Sequence, residues 1–214
     1  MPLASYLDAG GRKTGGFHGS APFSAWTPGC GKSIWLAESK DHGPVIVRHA
    51  AIDGSTLSRA ILPDSTAVER EGNGGIQGIA LVSGGSICYS RQYRSQLPGY
   101  KTFIGCLAAD GHIIENPCPL GDEPTKPFVA GPDGAMWAID RNDKPGLVRV
   151  DSSAGVQLLD LSATLHYQDG EESPLNDSLG SGADSLASLD GSLWFVATGE
   201  GEYKAPALYR VSFG

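Results

Sequence analysis

One pattern occurs four times in this chain of 214 residues, and nothing else in the sequence restricts the fold as strongly. Each copy has a short apolar stretch, a tight turn, and a second apolar stretch built around one large side chain. A variable polar connection, a third apolar stretch, a second tight turn and a fourth stretch follow. The plainest copy starts after Pro127. Phe128-Val129-Ala130 reads as a strand, and Gly131-Pro132-Asp133-Gly134 as a turn with Pro at its second position and Gly at its end. Residues 135–140 are the second strand and Leu147-Val148-Arg149-Val150 alternates as the third. After a turn at 151–155, Val156-Gln157-Leu158-Leu159 is the fourth.

The other copies fit the same frame. The first places strands at 23–26, 33–37, 45–48 and 57–62, and the second at 78–82, 86–89, 103–107 and 112–114. The last places them at 185–188, 192–197 and 207–211, and ends one strand short. Trp35, Cys88, Trp137 and Trp194 hold one equivalent position, at spacings of 53, 49 and 57 residues. Periods of this size with four strands each are the signature of propeller blades. A four-stranded unit cannot cover both its faces alone, so neighbours must stack, with the large residue filling the space between them.

The expected fold is therefore all-β: one small β-propeller-like domain over 1–214, made of four four-stranded antiparallel repeats at about 17–66, 70–120, 124–165 and 180–214. Residues 1–16 are expected to close the last blade, with Ser5-Tyr6-Leu7 as the missing strand. A ring left open, or closed by oligomerisation, is the second geometry, and a β-sandwich the third. Composition agrees. Gly (30) and Pro (14) make up about a fifth of the chain, which excludes coiled coils and bundles, and Gly lacks the collagen period. A hydrophobic share of 40% excludes disorder. A net charge of −8 argues against nucleic acid and against an anionic membrane, and no apolar run is long enough to span one. No secretory signal is evident at the N-terminus, so synthesis in the cytoplasm is expected.

Cys30, Cys88, Cys106 and Cys118 contain no Cys-x-x-Cys pair, so no zinc site is expected. Cys88 and Cys106 could pair across neighbouring strands, but buried free thiols in a reducing compartment are the expectation. Gly31-Lys32-Ser33 resembles the end of a phosphate loop, yet Trp26 stands where its first Gly belongs, and a strand follows instead of a helix; a hairpin turn is expected. The acidic stretch 168–177 lacks the spacing of a calcium loop and reads as solvated.

Gly131-Pro132-Asp133-Gly134-Ala135-Met136-Trp137, followed by Gly146-Leu147-Val148-Arg149-Val150-Asp151, resembles the repeat of streptogramin lyase-like propellers. The resemblance implies a blade. It also implies, as an alternative function, a metal-dependent elimination using a His and carboxylate-held Mg²⁺. That family's repeat usually has Glu after the Trp strand; the matching residues here are Glu38, Ser90, Asp140 and Thr198.

No catalytic constellation, metal ligand set or cofactor motif stands out. The binding candidates are Arg91, Tyr93, Arg94 and Tyr100 in a segment read as a long loop, with Tyr203 in a second one. Arg and Tyr are favoured anchors of interfaces. The function expected is non-catalytic: a structural or protein-interaction module that meets a protein partner or further copies of itself, as in a virion or another assembly. A carbohydrate-binding, lectin-like module is the second reading, with glycan as its partner, and the lyase-like enzyme the third.

Overall fold

The computed structural model describes residues 4–7, 13–17, 23–38, 45–51, 53–62, 71–94, 100–118, 128–140, 146–159, 164–166, 172–174, 185–197 and 207–213. Almost all of these are strand or tight turn. The first sheet contains β3 (Phe23–Pro28), β4 (Ser33–Glu38), β5 (Ile46–Ala51) and β6 (Thr56–Ile61). The second contains β7 (Glu71–Leu81), β8 (Ile87–Arg94), β9 (Tyr100–Leu107) and β10 (Ile113–Pro117). The third contains β11 (Val129–Ala130), β12 (Met136–Asp140), β13 (Gly146–Val150) and β14 (Val156–Leu159). The fourth contains β17 (Ser185–Leu189), β18 (Ser192–Ala197) and β19 (Ala207–Ser212). Each is an antiparallel meander in chain order. The first strands lie side by side, β3 by β7, β7 by β11 and β11 by β17. The four sheets form a four-bladed propeller, as the repeat spacing predicts.

Strand alternation gives every blade two faces. Trp35, Cys88 and Trp137 point from one blade toward the next, and we call this the leading face; the trailing face points back. Between blades one and two, Ala37 and Val47 meet Ile79, Ile87, Tyr89 and Leu107. Between two and three, Cys88, Ile104 and Cys106 meet Met136, Ala138 and Val148. Between three and four, Trp137, Ile139 and Leu147 meet Leu186, Leu193 and Phe195. Among the described residues the core is thus three leading-on-trailing sandwiches, not one centre. Trp194 obeys the same register, so it lies on the leading face of the last blade, away from the core that Phe195 enters.

Five tight turns share one five-residue frame, at 51–55, 82–86, 108–112, 131–135 and 151–155. In each, the first N–H donates to the fifth carbonyl and the fourth N–H to the first carbonyl. The fourth residue is left-handed in all five: Gly54, Gly85, Gly111, Gly134 and, without a glycine, Ala154 at φ 60°. In all but 82–86, where Gly84 is left-handed as well, this is a type I turn followed by a left-handed residue, which matches strand twist. Asp supplies a further bond. Asp53, Asp110 and Asp133 each accept the N–H two residues on through Oδ1, and Asp151 accepts those of Ser153 and Gly155. The Gly134 carbonyl also accepts the Ser83 N–H, tying the turns of adjacent blades.

At Asp53, Asp133 and Asp151 these bonds depress the carboxyl pKa. The Ser55 hydroxyl and amide lower Asp53, and the Ser153 hydroxyl lowers Asp151 against a burial penalty. At Asp133 burial pushes upward, but the bonds from Trp137, Arg149 and Ala135 together hold it low. A carboxyl depressed in the folded state contributes stability that is present above its unfolded pKa and is lost as pH falls through the folded one. The urea midpoint is therefore expected to hold steady from pH 7 to 5 and to fall below about pH 4. Asp151→Asn should flatten part of that fall; an undiminished midpoint at pH 3 would contradict it.

Four expectations are corrected. Ser5-Tyr6-Leu7 do not complete the last blade: β1 (Ala4–Leu7) pairs with β2 (Lys13–Phe17), leaving the fourth sheet with three strands among the described residues. Cys88 and Cys106 are not free thiols. The β8–β9 register sets them directly opposite, with Cα atoms 4.0 Å apart, and they form a disulfide. The segment after Ser90 is not all loop, since β8 runs to Arg94. The acidic stretch is not all loop either: β15 (Thr164–His166) pairs with β16 (Glu172–Pro174), and its remaining residues lie outside those described. Gly31-Lys32-Ser33 does sit at a turn leading into β4.

Candidate functional site

Three residues after the equivalent large side chain, each of the first three blades carries an ionisable residue on its trailing face: Glu38, Arg91 and Asp140. Face alternation makes Arg91, not Ser90, the second-blade member, and Ala197, not Thr198, the fourth. The first two pair within their own blades. Arg48 Nε donates to Glu38 Oε1 at 2.7 Å, and Arg91 Nη1 lies 3.6 Å from Glu115 Oε2. Asp140 is buried.

The Arg91 group is the most elaborate polar cluster among the described residues. Tyr89, Arg91 and Tyr93 alternate along β8, so all three point to the trailing face, where Glu115 on β10 joins them. Tyr89 and Tyr93 donate their phenolic hydrogens to the two Glu115 oxygens, each at 3.0 Å. The Arg91 guanidinium lies 4.7 Å from the Tyr93 ring centre, and Phe103 meets that ring edge-on. Tyr89, Arg91 and Tyr93 are fully buried. Burial, with the Glu115 charge behind it, pushes the Tyr89 phenol far above its ordinary range. Gly105, directly across from Tyr89, has no side chain because the phenol ring occupies that space.

Of the sequence candidates, then, Arg91 and Tyr93 come together inside the second blade. Arg94 and Tyr100 face each other on the last rung of the β8–β9 ladder. Tyr203 lies outside the described residues. Trp137 is buried and donates its indole N–H to Asp133 Oδ1 at 2.8 Å, while Arg149 Nε donates to Asp133 Oδ2 at 2.6 Å. Trp194 lies under the Arg210 guanidinium, 5.5 Å away.

Two features were not drawn from the sequence. One is a cleft of about 260 Å³ between the first two blades at the turn-bearing end, lined by Trp35, Ser58, Ala60, Leu107, Ala109 and Gly111 among others. Trp35 stacks flat on His49, with ring centres 4.3 Å apart and planes 4° from parallel. The β4–β5–β6 register lines up Trp35, His49 and Ser58, a signal visible only once pairing is known. The other is where apolar side chains stay exposed. Trp26 and Ile61 are 57% exposed on the trailing face of the first blade, and Leu189 (60%) and Leu208 (64%) on the leading face of the last.

Described side chains of the inner strands β3, β7, β11 and β17 are Gly, Ala, Ser, Thr, Gln, Trp and aliphatic groups. Among the described residues no three His, Cys, Asp or Glu gather where they could hold a metal ion.

No family model matches the chain, and no curated protein matches it. Similar solved structures include a catalytically inactive virginiamycin B lyase from Staphylococcus aureus with quinupristin, at 14% identity and a TM-score of 0.49. The match covers 84% of this chain and 64% of the lyase, so the chain spans under two thirds of that protein's length. A streptogramin B lyase is 17% identical with a TM-score of 0.40, covering 90% of this chain and 71% of that one. A Trypanosoma rangeli sialidase in complex with sialic acid is 11% identical with a TM-score of 0.44, covering 98% and 38%.

Proposed function

We propose that the chain is a non-catalytic protein-interaction module, a propeller whose two end blades carry the contact surface. One observation supports it. Of the five large apolar side chains exposed among the described residues, four lie on the trailing face of the first blade or the leading face of the last: Trp26, Ile61, Leu189 and Leu208. Exposed apolar groups gathered on such faces mark interaction sites. Among the described residues, each interface between blades sets a leading face on a trailing face. A second copy of this chain offers the last blade the same kind of surface, in a head-to-tail contact. Two of the ionisable groups set on the trailing faces are paired within single blades, as Glu38–Arg48 and Arg91–Glu115.

Sedimentation over a range of protein concentrations tests this. The chain is expected to associate in the micromolar range or tighter, and Leu208→Asp combined with Leu189→Asp to weaken association at least tenfold. Both positions are exposed, so the variant should keep the wild-type Tm. A wild-type chain that stays monomeric at the highest soluble concentration would exclude the self-associating form. Association unchanged in the double variant would place the contact elsewhere.

A further inference from the structure

The cleft between the first two blades has a composition that neither the interblade packing nor the end faces explain. Its floor is an indole held in a defined plane. His49 stacks on one face of Trp35 at 4.3 Å, which prevents the ring from turning. The imidazole Nε2 is itself buried and makes no hydrogen bond among the described residues, so packing against Trp35 is what holds it there. Trp35 remains half-buried, and the rest of its ring borders the cleft. On one side Ser58, next to His49 in the ladder, places a hydroxyl on the same face of the blade. The opposite wall comes from two turns of the second blade, with Ala109 and Gly111 leaving main chain uncovered. No other atom would lie within 4 Å of a Cβ at Gly111.

Arg59 also borders the cleft, but the β5–β6 register sets it opposite Arg48, on the other face of the blade. An immobilised aromatic face, a hydroxyl and exposed peptide groups, with no ion pair among the described lining residues, suit a flat ring that is apolar on one side and hydroxylated at its edge. Aromatic rings carry a negative face, which attracts polarised C–H groups. The volume of about 260 Å³ is below the roughly 300–1,000 Å³ typical of pockets for drug-sized ligands, so one ring fits and a chain does not. We infer that this cleft binds a single neutral hexopyranose unit, its C–H face on Trp35 and its hydroxyls on Ser58 and the 108–111 turn. The site is distinct from the end faces and does not depend on the interaction reading.

A ligand of about 12 heavy atoms at ordinary efficiency gives a dissociation constant of about 1 mM. The experiment is saturation-transfer NMR on the intact protein with the methyl glycosides of glucose, galactose, mannose and N-acetylglucosamine, with tetramethylammonium run separately. At least one glycoside is expected to show transfer centred on its ring C–H protons. Trp35→Ala should weaken that binding at least tenfold. Because Trp35 also packs against the core, Ala109→Tyr serves as the second variant: it fills the cleft from an exposed turn and should abolish binding with the Tm unchanged. No transfer from any of the four sugars would overturn the inference. Transfer that survives Ala109→Tyr would also overturn it, and so would binding of tetramethylammonium alone, which would make the indole a cation site.

Discussion

Replacing Glu115 by Ala is expected to destabilise the protein by about 3–5 kcal/mol, the range for breaking a buried ion pair by removing one partner. For a chain of this length that lowers Tm on the order of 10 °C. Glu115 accepts both tyrosine hydroxyls of β8 and faces the guanidinium of fully buried Arg91. Its removal takes the carboxylate from in front of a guanidinium that is fully buried. Glu115→Gln should cost less, since it keeps an acceptor for one phenol. Tyr93→Phe removes one donor to the carboxylate and should cost about 1.5–3 kcal/mol, the range for a hydrogen bond to a charged group. Urea unfolding of the three variants gives the ranking directly. A Glu115→Ala midpoint within error of wild type would mean that the cluster contributes nothing net.

Trp137→Ala is the second large effect, about 3–5 kcal/mol for a buried indole. Trp137 lies between the third and fourth blades beside Leu186, Leu193 and Phe195, with Phe213 edge-on at 5.2 Å. Its N–H also anchors Asp133, which in turn holds the Ala135 amide and Arg149. Trp137→Phe separates the two roles, because it keeps most of the packing and loses the hydrogen bond. It should cost about 1–2 kcal/mol and move the Asp133 carboxyl back toward its ordinary range, which NMR titration reads. Equal losses in the Ala and Phe variants would show that the hydrogen bond, not the packing, carries the effect.

The blades were legible because their determinants are local. Turns such as Gly131-Pro132-Asp133-Gly134 encode their own geometry over five residues, and each apolar stretch between them alternates on its own. What failed to show depends on register, which is a relation between segments. Cys88 and Cys106 looked like ordinary buried thiols until the β8–β9 ladder set one opposite the other. Arg91 and Tyr93 had a loop-like composition, Arg with Tyr close to Pro98-Gly99, yet every second residue from Tyr89 turns to Glu115 on another strand. The Trp35–His49–Ser58 row is the same kind of relation, spread over three strands. Nothing in the spacing of those three residues along the chain announces it. Ser5-Tyr6-Leu7 failed for a related reason: a strand can pair with the nearest partner, and β2 begins six residues later, at Lys13.

The disulfide joins strands that are already neighbours within one blade and crosses no boundary between blades. A chain drawn out from its two ends would therefore separate its blades without meeting this bond. It would then stop short of full extension, because the 18-residue step from Cys88 to Cys106 withholds about 60 Å of contour length. Reductant would release that length in a single increment, so the oxidised protein carries an internal ruler that marks when its second blade has come apart.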